Sequence, residues 1–280
     1  MLVTETQPLA RSLFRSKPEA NSKQDRILGA LLGAAIGDVM GNSIAGLDKE
    51  IISNKYGAFG IVSPNYDSAV SHNFQLMLFA LDALMNVTRK EQKLSVEDIS
   101  KCLLRSAKEW KEVVNHPNLF HGINHIDKKG YVCTDFIKNY PLWRLQRPGK
   151  KTDKSLASEL IYPMVLALLL CANDRTVKEV LVELSKTLGS PEINFDVTTL
   201  ASLLESNEVI TKANKLNGLA NMCSKINQAD RPELIGMLSG FEHGAKFGIN
   251  AFKQIWYLRI DATMLAEQMG WRVGRNFKSY

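Results

Sequence analysis

Cysteine is scarce in this chain: four residues in 280, Cys102, Cys133, Cys171 and Cys223, widely spaced and with no C-x-x-C pair. That spacing excludes a zinc ribbon and a disulfide framework, and it points to a reducing compartment. No apolar run reaches the roughly 18 residues that a membrane-spanning helix needs, so no membrane partner is expected. The first residues, 1–23, are polar and carry Arg11, Arg15 and Lys17 but no hydrophobic segment of a secretory signal. They read as a flexible leader. The expected location is therefore cytoplasmic, and the polar leader leaves room for delivery into a host cell as an effector. Alternating strand patterns are missing too, as are the Walker A loop, the dinucleotide-binding fingerprint and the G-x-S-x-G elbow. With no repeat and no linker able to divide it, residues 24–280 are expected to form one all-α domain.

The net charge is +6, but the lysines are spread along the whole sequence. Only Lys128-Lys129 and the loop from Lys138 to Lys154 concentrate them, and neither is accompanied by a nucleic-acid recognition motif, so no nucleic-acid partner is expected. Helical periodicity predicts helices over 25–40, 71–87, 95–114, 158–171, 176–187, 197–205, 207–226, 232–252 and 261–273. Capping signals support several of these: Ser95 before Glu97 and Asp98, and Asp230 before Pro232. His116, His121 and His125 do not make a metal site, because Pro117 and Gly122 interrupt the helix on which an i, i+4 pair would have to sit. His243 reads as a packed or surface histidine.

What the chain does have is a glycine pattern in RILGALLGAAIGDVMGNSIAG, residues 26–46. Gly29, Gly33, Gly37 and Gly41 recur every four residues, and Asp38 follows the third. Residues four apart share one helix face, and each interior glycine costs up to about 1 kcal/mol relative to alanine. A helix that accepts that cost repeatedly must gain close approach of another backbone. A second segment, Ser71 to Met85, places an apolar helical body behind a polar first turn of Ser71, His72, Asn73 and Gln75. Free N–H groups at such a turn favour anions and polar ligands, although Ser71 also suits simple N-capping.

Residues 26–46 closely resemble the opening helix of the ADP-ribosylglycohydrolases, R-I-x-G-A-L-L-G-A-A-I-G-D-A-L-G-x-P-x-E-G. Residues 71–85 fall without gaps on that family's T-D-D-T-Q-M-A-L-A-L-A-x-S-L-L. Residues 261–274 resemble its D-A-D-T-x-G-A-I-A-G-A-x-x-G, and Arg147-Pro148-Gly149 its R-A-P-G turn. The resemblance implies an all-α, orthogonal multi-helix bundle. It also implies cleavage of the glycosidic bond between ADP-ribose and an acceptor, with two Mg²⁺ ions held by the T-D-D and D-x-D-T helices.

The ligand positions depart from that pattern. Ser71 stands for Thr, His72 and Asn73 for the two Asp, and Phe74 for the next Thr; Asp261 is kept, but Thr263 replaces Asp and Met264 replaces Thr. Of four expected carboxylates one remains, and the glutamate that often follows the first glycine helix is Ala45. The family's ribose-binding loop falls on 154–163, where its glycines are missing. Phe74 and Met264 bring apolar bulk toward the former metal cleft. No metal or cofactor is therefore expected, and the vestigial pocket is assigned to Asp38, Ser71, His72, Asn73, Asp261 and Thr263. Selective loss of carboxylates on a retained scaffold leads to a pseudoenzyme that binds ADP-ribose, an ADP-ribosylated protein or another protein partner. Two alternatives stand beside it. One is a hydrolase of altered metal dependence, with His72 as general base and Asp261 as its partner; the other is a structural or effector protein with a closed cleft.

Overall fold

A computed structural model describes residues 18–66, 68–90, 95–115, 132–138, 154–171, 179, 197–206 and 211–275. The helices are α1 (Lys23–Asn42), α2 (Lys49–Tyr56), α3 (His72–Lys90), α4 (Val96–Asn115), α5 (Asp135–Lys138), α6 (Lys154–Leu170), α7 (Val197–Glu205), α8 (Lys212–Gln228), α9 (Pro232–Phe247), α10 (Gln254–Tyr257) and α11 (Thr263–Arg275). A 3₁₀ turn, Gly248–Ala251, follows α9. The expected all-α bundle is what the chain forms. Among the described residues there is no strand, only a single parallel bridge between Ser68 and Ile260. No described helix is long and apolar enough to cross a membrane. The expected helix 176–187 falls, apart from Glu179, outside the described residues, as do His116, His121, His125, the Lys128-Lys129 pair and the Arg147–Gly149 turn.

The centre of the bundle is α1, buried from Asp25 to Gly41. Its glycine stripe meets a second one on α9, running antiparallel: Gly29 faces Gly244 and Gly248, Gly33 faces Gly240, Gly37 faces Gly236, and Gly41 faces Pro232. A methyl group at any of these α1 positions would lie well inside van der Waals contact with a backbone carbonyl of α9. The absent side chains let the two helix backbones touch, as the sequence spacing demanded. Around this pair the apolar faces of α3, α6 and α11 close the core, with Phe74, Phe79, Met77, Leu166 and Leu265 all fully buried.

Polar groups fix the N-terminal end of α1. The Ser22 hydroxyl caps it by accepting from the Asp25 N–H at 3.1 Å. The Asp25 carboxylate in turn accepts from the N–H groups of Asn21 at 2.9 Å and Ile249 at 3.1 Å. Arg26, fully buried, donates to the carbonyls of Lys246 at 3.1 Å and Leu203 at 3.4 Å. It thereby satisfies an end-of-helix acceptor of α9. On the opposite flank, residues 132–138 are strapped to the bundle by carboxylates. Glu109 accepts from the N–H groups of Val132 and Cys133 at 2.7 and 3.1 Å. Asp82 takes the Thr134 N–H at 2.6 Å and the Arg272 guanidinium at 2.6 Å.

Candidate functional site

The site residues converge where the C-terminal half of α1 meets the start of α3. Ser71 stands immediately before α3. Its hydroxyl accepts from the Asn73 N–H at 3.1 Å and donates to Asp38 Oδ1 at 2.5 Å, while its own N–H donates to Asp38 Oδ2 at 2.6 Å. Asp38 is fully buried, and all of its geometry is committed to this one residue. Burial pushes its pKa up to about 7; the Ser71 hydrogen bonds oppose the shift, and the nearby charges of Glu233 and Asp261 add to it.

Asp261 reaches the site through a short backbone zipper. The Ser68 N–H donates to the Arg259 carbonyl at 3.0 Å and the Asp261 N–H to the Ser68 carbonyl at 3.4 Å. The Asp261 carboxylate then accepts from the Val70 N–H at 3.3 Å. The same zipper anchors Arg259, which donates to the Pro64 carbonyl at 2.9 Å and lies 4.4 Å from the ring centroid of exposed Tyr66. A cation and an aromatic face thus flank the acidic group.

The first turn of α3 divides its side chains between half-buried and interior positions. His72 is half-buried and sits edge-on to Trp110, ring centroids 5.5 Å apart; burial lowers its pKa and favours the neutral ring. Asn73 is 2% exposed, and its amide nitrogen has no partner. Gln75 accepts from Trp110 Nε1 at 3.1 Å while its own amide nitrogen is unpartnered. Buried polar groups are nearly always paired, so each of these unpartnered donors calls for an acceptor, although residues two apart on a helix point in different directions.

Of the six sequence-assigned positions, Asp38, Ser71 and Asp261 come together around the start of α3, with His72 and Asn73 on its first turn. Thr263 turns away: its hydroxyl donates to the Tyr257 carbonyl at 2.6 Å and holds α10 against the start of α11. The two residues that bring apolar bulk to this region are placed differently. Phe74 falls on the α3 face that carries Leu78 and Leu81 and is buried in the core, whereas Met264 is 62% exposed. Residues 154–163, aligned with a ligand-binding loop, form the first turns of α6 instead. Ala45 is exposed. Glu233, in the first turn of α9 and joined to Arg231 Nε at 3.3 Å, was missed from the sequence. Among the described residues no group of three or more His, Cys, Asp or Glu side chains is placed to hold a metal ion. Two grooves among the described residues, of about 630 and 510 Å³, are lined by other residues.

A family model described as ADP-ribosylglycohydrolase matches residues 19–194. Asp38 and residues 71–75 lie inside that span; Glu233, Asp261 and Thr263 lie beyond it. No curated protein matches the chain. Among solved structures, one described as an "ADP-ribosylglycohydrolase-related protein complex" is similar over 91% of this chain and 99% of that one, with 17% sequence identity and a TM-score of 0.42.

Proposed function

The chain belongs to the ADP-ribosylglycohydrolase family, and from that premise we propose that it binds an ADP-ribose-like ligand, free or carried on a protein, without hydrolysing it. The observation that carries this reading is the Asn73 amide, buried and without a partner at the position where the family pattern has a carboxylate. A magnesium ion needs hard oxygen ligands, and a pair of ions needs several carboxylates to balance their charge. Here that position offers an N–H donor. Asp38 is tied to Ser71 through both oxygens, and the Thr263 hydroxyl serves the Tyr257 carbonyl. The residues present do not fit a dinuclear magnesium centre.

The same donors suit the oxygens of a ligand. The unpartnered amide nitrogen of Asn73 calls for an acceptor, and the N-terminal turn of α3 favours negative charge. Arg259 and Tyr66, next to the zipper that delivers Asp261, supply a cation for a phosphate and a face for a base. Calorimetric titration with ADP-ribose, with and without Mg²⁺, tests the proposal: equal affinity in both conditions is expected, together with no release of ADP-ribose from ADP-ribosyl-arginine. Binding that requires Mg²⁺ and is followed by hydrolysis refutes it, and silence in both titrations refutes the binding itself. One observation favours the hydrolytic alternative, the half-buried His72 ring on the first turn of α3, whose pKa burial lowers. If that alternative holds, His72→Ala abolishes a measurable hydrolysis.

A further inference from the structure

Between α2 and α8 runs a groove of about 630 Å³ that shares no residue with the site above. Its α8 wall is built from Leu216, Leu219, Ala220, Cys223 and Asn227, spaced by three and four residues and therefore on one helix face. From Leu216 to Gln228 that face runs about 18 Å, more than three turns. Opposite it stand Ile52 of α2 and, in the loop that follows, Phe59 and Val62. Phe59 is 87% exposed, Val62 51% and Leu216 55%, and α2 buries none of its residues. One exposed apolar side chain is ordinary, but three gathered along one groove mark an interaction surface. The loop is fastened in this position. Asn227 Oδ1 accepts from the Ile61 N–H at 2.9 Å, and Asn227 Nδ2 donates to the Ile61 and Phe59 carbonyls at 3.0 and 3.3 Å. Gly60 has φ 65°, and a Cβ there would collide with the Asn227 carboxamide, so glycine is what lets this clasp close. Phe59 is thus carried on ordered backbone, and a partner that covers it has little of the loop left to order.

Charge selects the occupant. Among the described residues that line the groove, Lys49 is the only charged one; the acids nearest to it in sequence, Asp48 and Glu50, do not line it. Helix α8 carries Lys212, Lys215 and Lys225 and no acid. Lys225 pairs with Glu242 of α9 at 3.5 Å and Lys215 donates to the Asn250 carbonyl at 2.8 Å, whereas Lys212 extends the groove face one turn beyond Leu216. The chain's own residues 1–17 carry Arg11, Arg15 and Lys17 against Glu5, and a second copy brings the same lysines, so either would meet this rim with charge of its own sign. A groove walled by helices offers no open strand edge to an extended peptide, which leaves the helix-in-groove mode. We propose that the α2–α8 groove docks an acidic amphipathic helix of another protein. Its apolar residues at i, i+3, i+4 and i+7 pack on Phe59, Val62 and Leu216, and its carboxylates lie beside Lys49 and Lys212.

The test is an amide NMR titration of the full chain with three probes in turn: an end-capped model helix of about 14 residues with leucines on one face and glutamates elsewhere, the same helix with lysine for glutamate, and a peptide of residues 1–17. The glutamate helix should give saturable shifts at residues 49–62 and 216–228 with a Kd on the order of 100 μM, weakening as salt is raised. The lysine helix and the 1–17 peptide should bind at least about tenfold more weakly. Phe59→Ser and Leu216→Ser, both at exposed positions, should each weaken the glutamate helix by about tenfold while the spectrum stays that of the folded protein, and Lys49→Glu combined with Lys212→Glu should erase the preference for glutamate over lysine. The absence of saturable shifts with the glutamate helix overturns the proposal. So does equal or tighter binding of the lysine helix or the 1–17 peptide, or unchanged affinity in the two serine variants. Shifts at the same residues on diluting the chain alone would assign the groove to a second copy and overturn it as well. The outcome is independent of the ADP-ribose titration, whose shifts would map to residues 66–75.

Discussion

Replacing Gly37 by alanine isolates the physical claim on which the scaffold rests. In the helix taken alone the change is favourable by about 1 kcal/mol, because alanine has the higher propensity. In the bundle the new Cβ meets the carbonyl oxygen and carbon of Gly236, which are backbone atoms with no rotamer to escape into. Relief requires α1 and α9 to separate, and α1 is buried on every side, so the separation disturbs packing around the whole helix. Overpacking of this kind costs about 3 kcal/mol or more at a rigid site, leaving a net loss of about 2 kcal/mol. For a domain of this size that corresponds to a melting temperature lower by about 4–8 °C. Gly274→Ala is the control: its Cβ would meet the Gln24 side chain, which can swing aside, and its melting temperature should stay within about 2 °C of the parent. Thermal unfolding followed by circular dichroism measures both. If Gly37→Ala melts at or above the parent temperature, close backbone contact is not what the glycines provide.

Other consequences concern the polar joints. Ser71→Ala removes the hydroxyl that links Asp38 to the start of α3 and should cost about 1–2 kcal/mol in denaturant unfolding, whereas Ser71→Thr should restore most of it; an alanine variant of undiminished stability would contradict the geometry. Because Asp38 is raised from 3.8 to about 7, the folded state binds its proton more tightly than the unfolded chain does. Its stabilising contribution is therefore complete at low pH and is lost as pH rises through about 7. Asp38→Asn should accordingly lose less stability than the parent between about pH 5 and pH 8, and parallel curves for the two proteins would sink the assignment. Arg272→Met leaves the fully buried Asp82 carboxylate with Thr134 alone and should cost about 2 kcal/mol, with faster amide exchange at Val132 and Thr134; unchanged exchange there would mean that the strap does not depend on the ion pair.

Much of the bundle was legible because close backbone contact leaves a mark in the sequence. The spacing of Gly29, Gly33, Gly37 and Gly41 required a backbone partner, and the partner carries the same signature at Gly236, Gly240, Gly244 and Gly248. The elements that were missed lack any such mark. No residue of α2 is buried, so no apolar face could show in KEIISNKY, and α5 and α10 are four residues each, too short for a period to register. Boundaries moved where a local group decided them. Helix α8 begins at Lys212 because the Thr211 hydroxyl accepts from the Asn214 N–H. Helix α9 stops at Phe247 because Gly248 adopts φ 66°, a left-handed conformation that glycine takes without strain.

The candidate site was less legible, since composition at a position does not say which way a side chain turns. Thr263 and Met264 both occupy positions where the family pattern has oxygen ligands, yet one hydroxyl is drawn to the Tyr257 carbonyl and the thioether points to solvent. Glu233 is the instructive omission, because its place follows from the glycines. Each step of four toward the C-terminus of α1 is a step of four toward the N-terminus of α9, and the register that sets Gly37 on Gly236 sets Gly41 on Pro232. The next residue of α9 must then lie beside the turn of α1 that carries Asp38, and Glu233 is that residue. The high proton affinity of Asp38 comes first from its complete burial, with a second acid brought near by the same register. It requires no metal and no reaction, and it would persist in any variant that keeps the two glycine stripes in step.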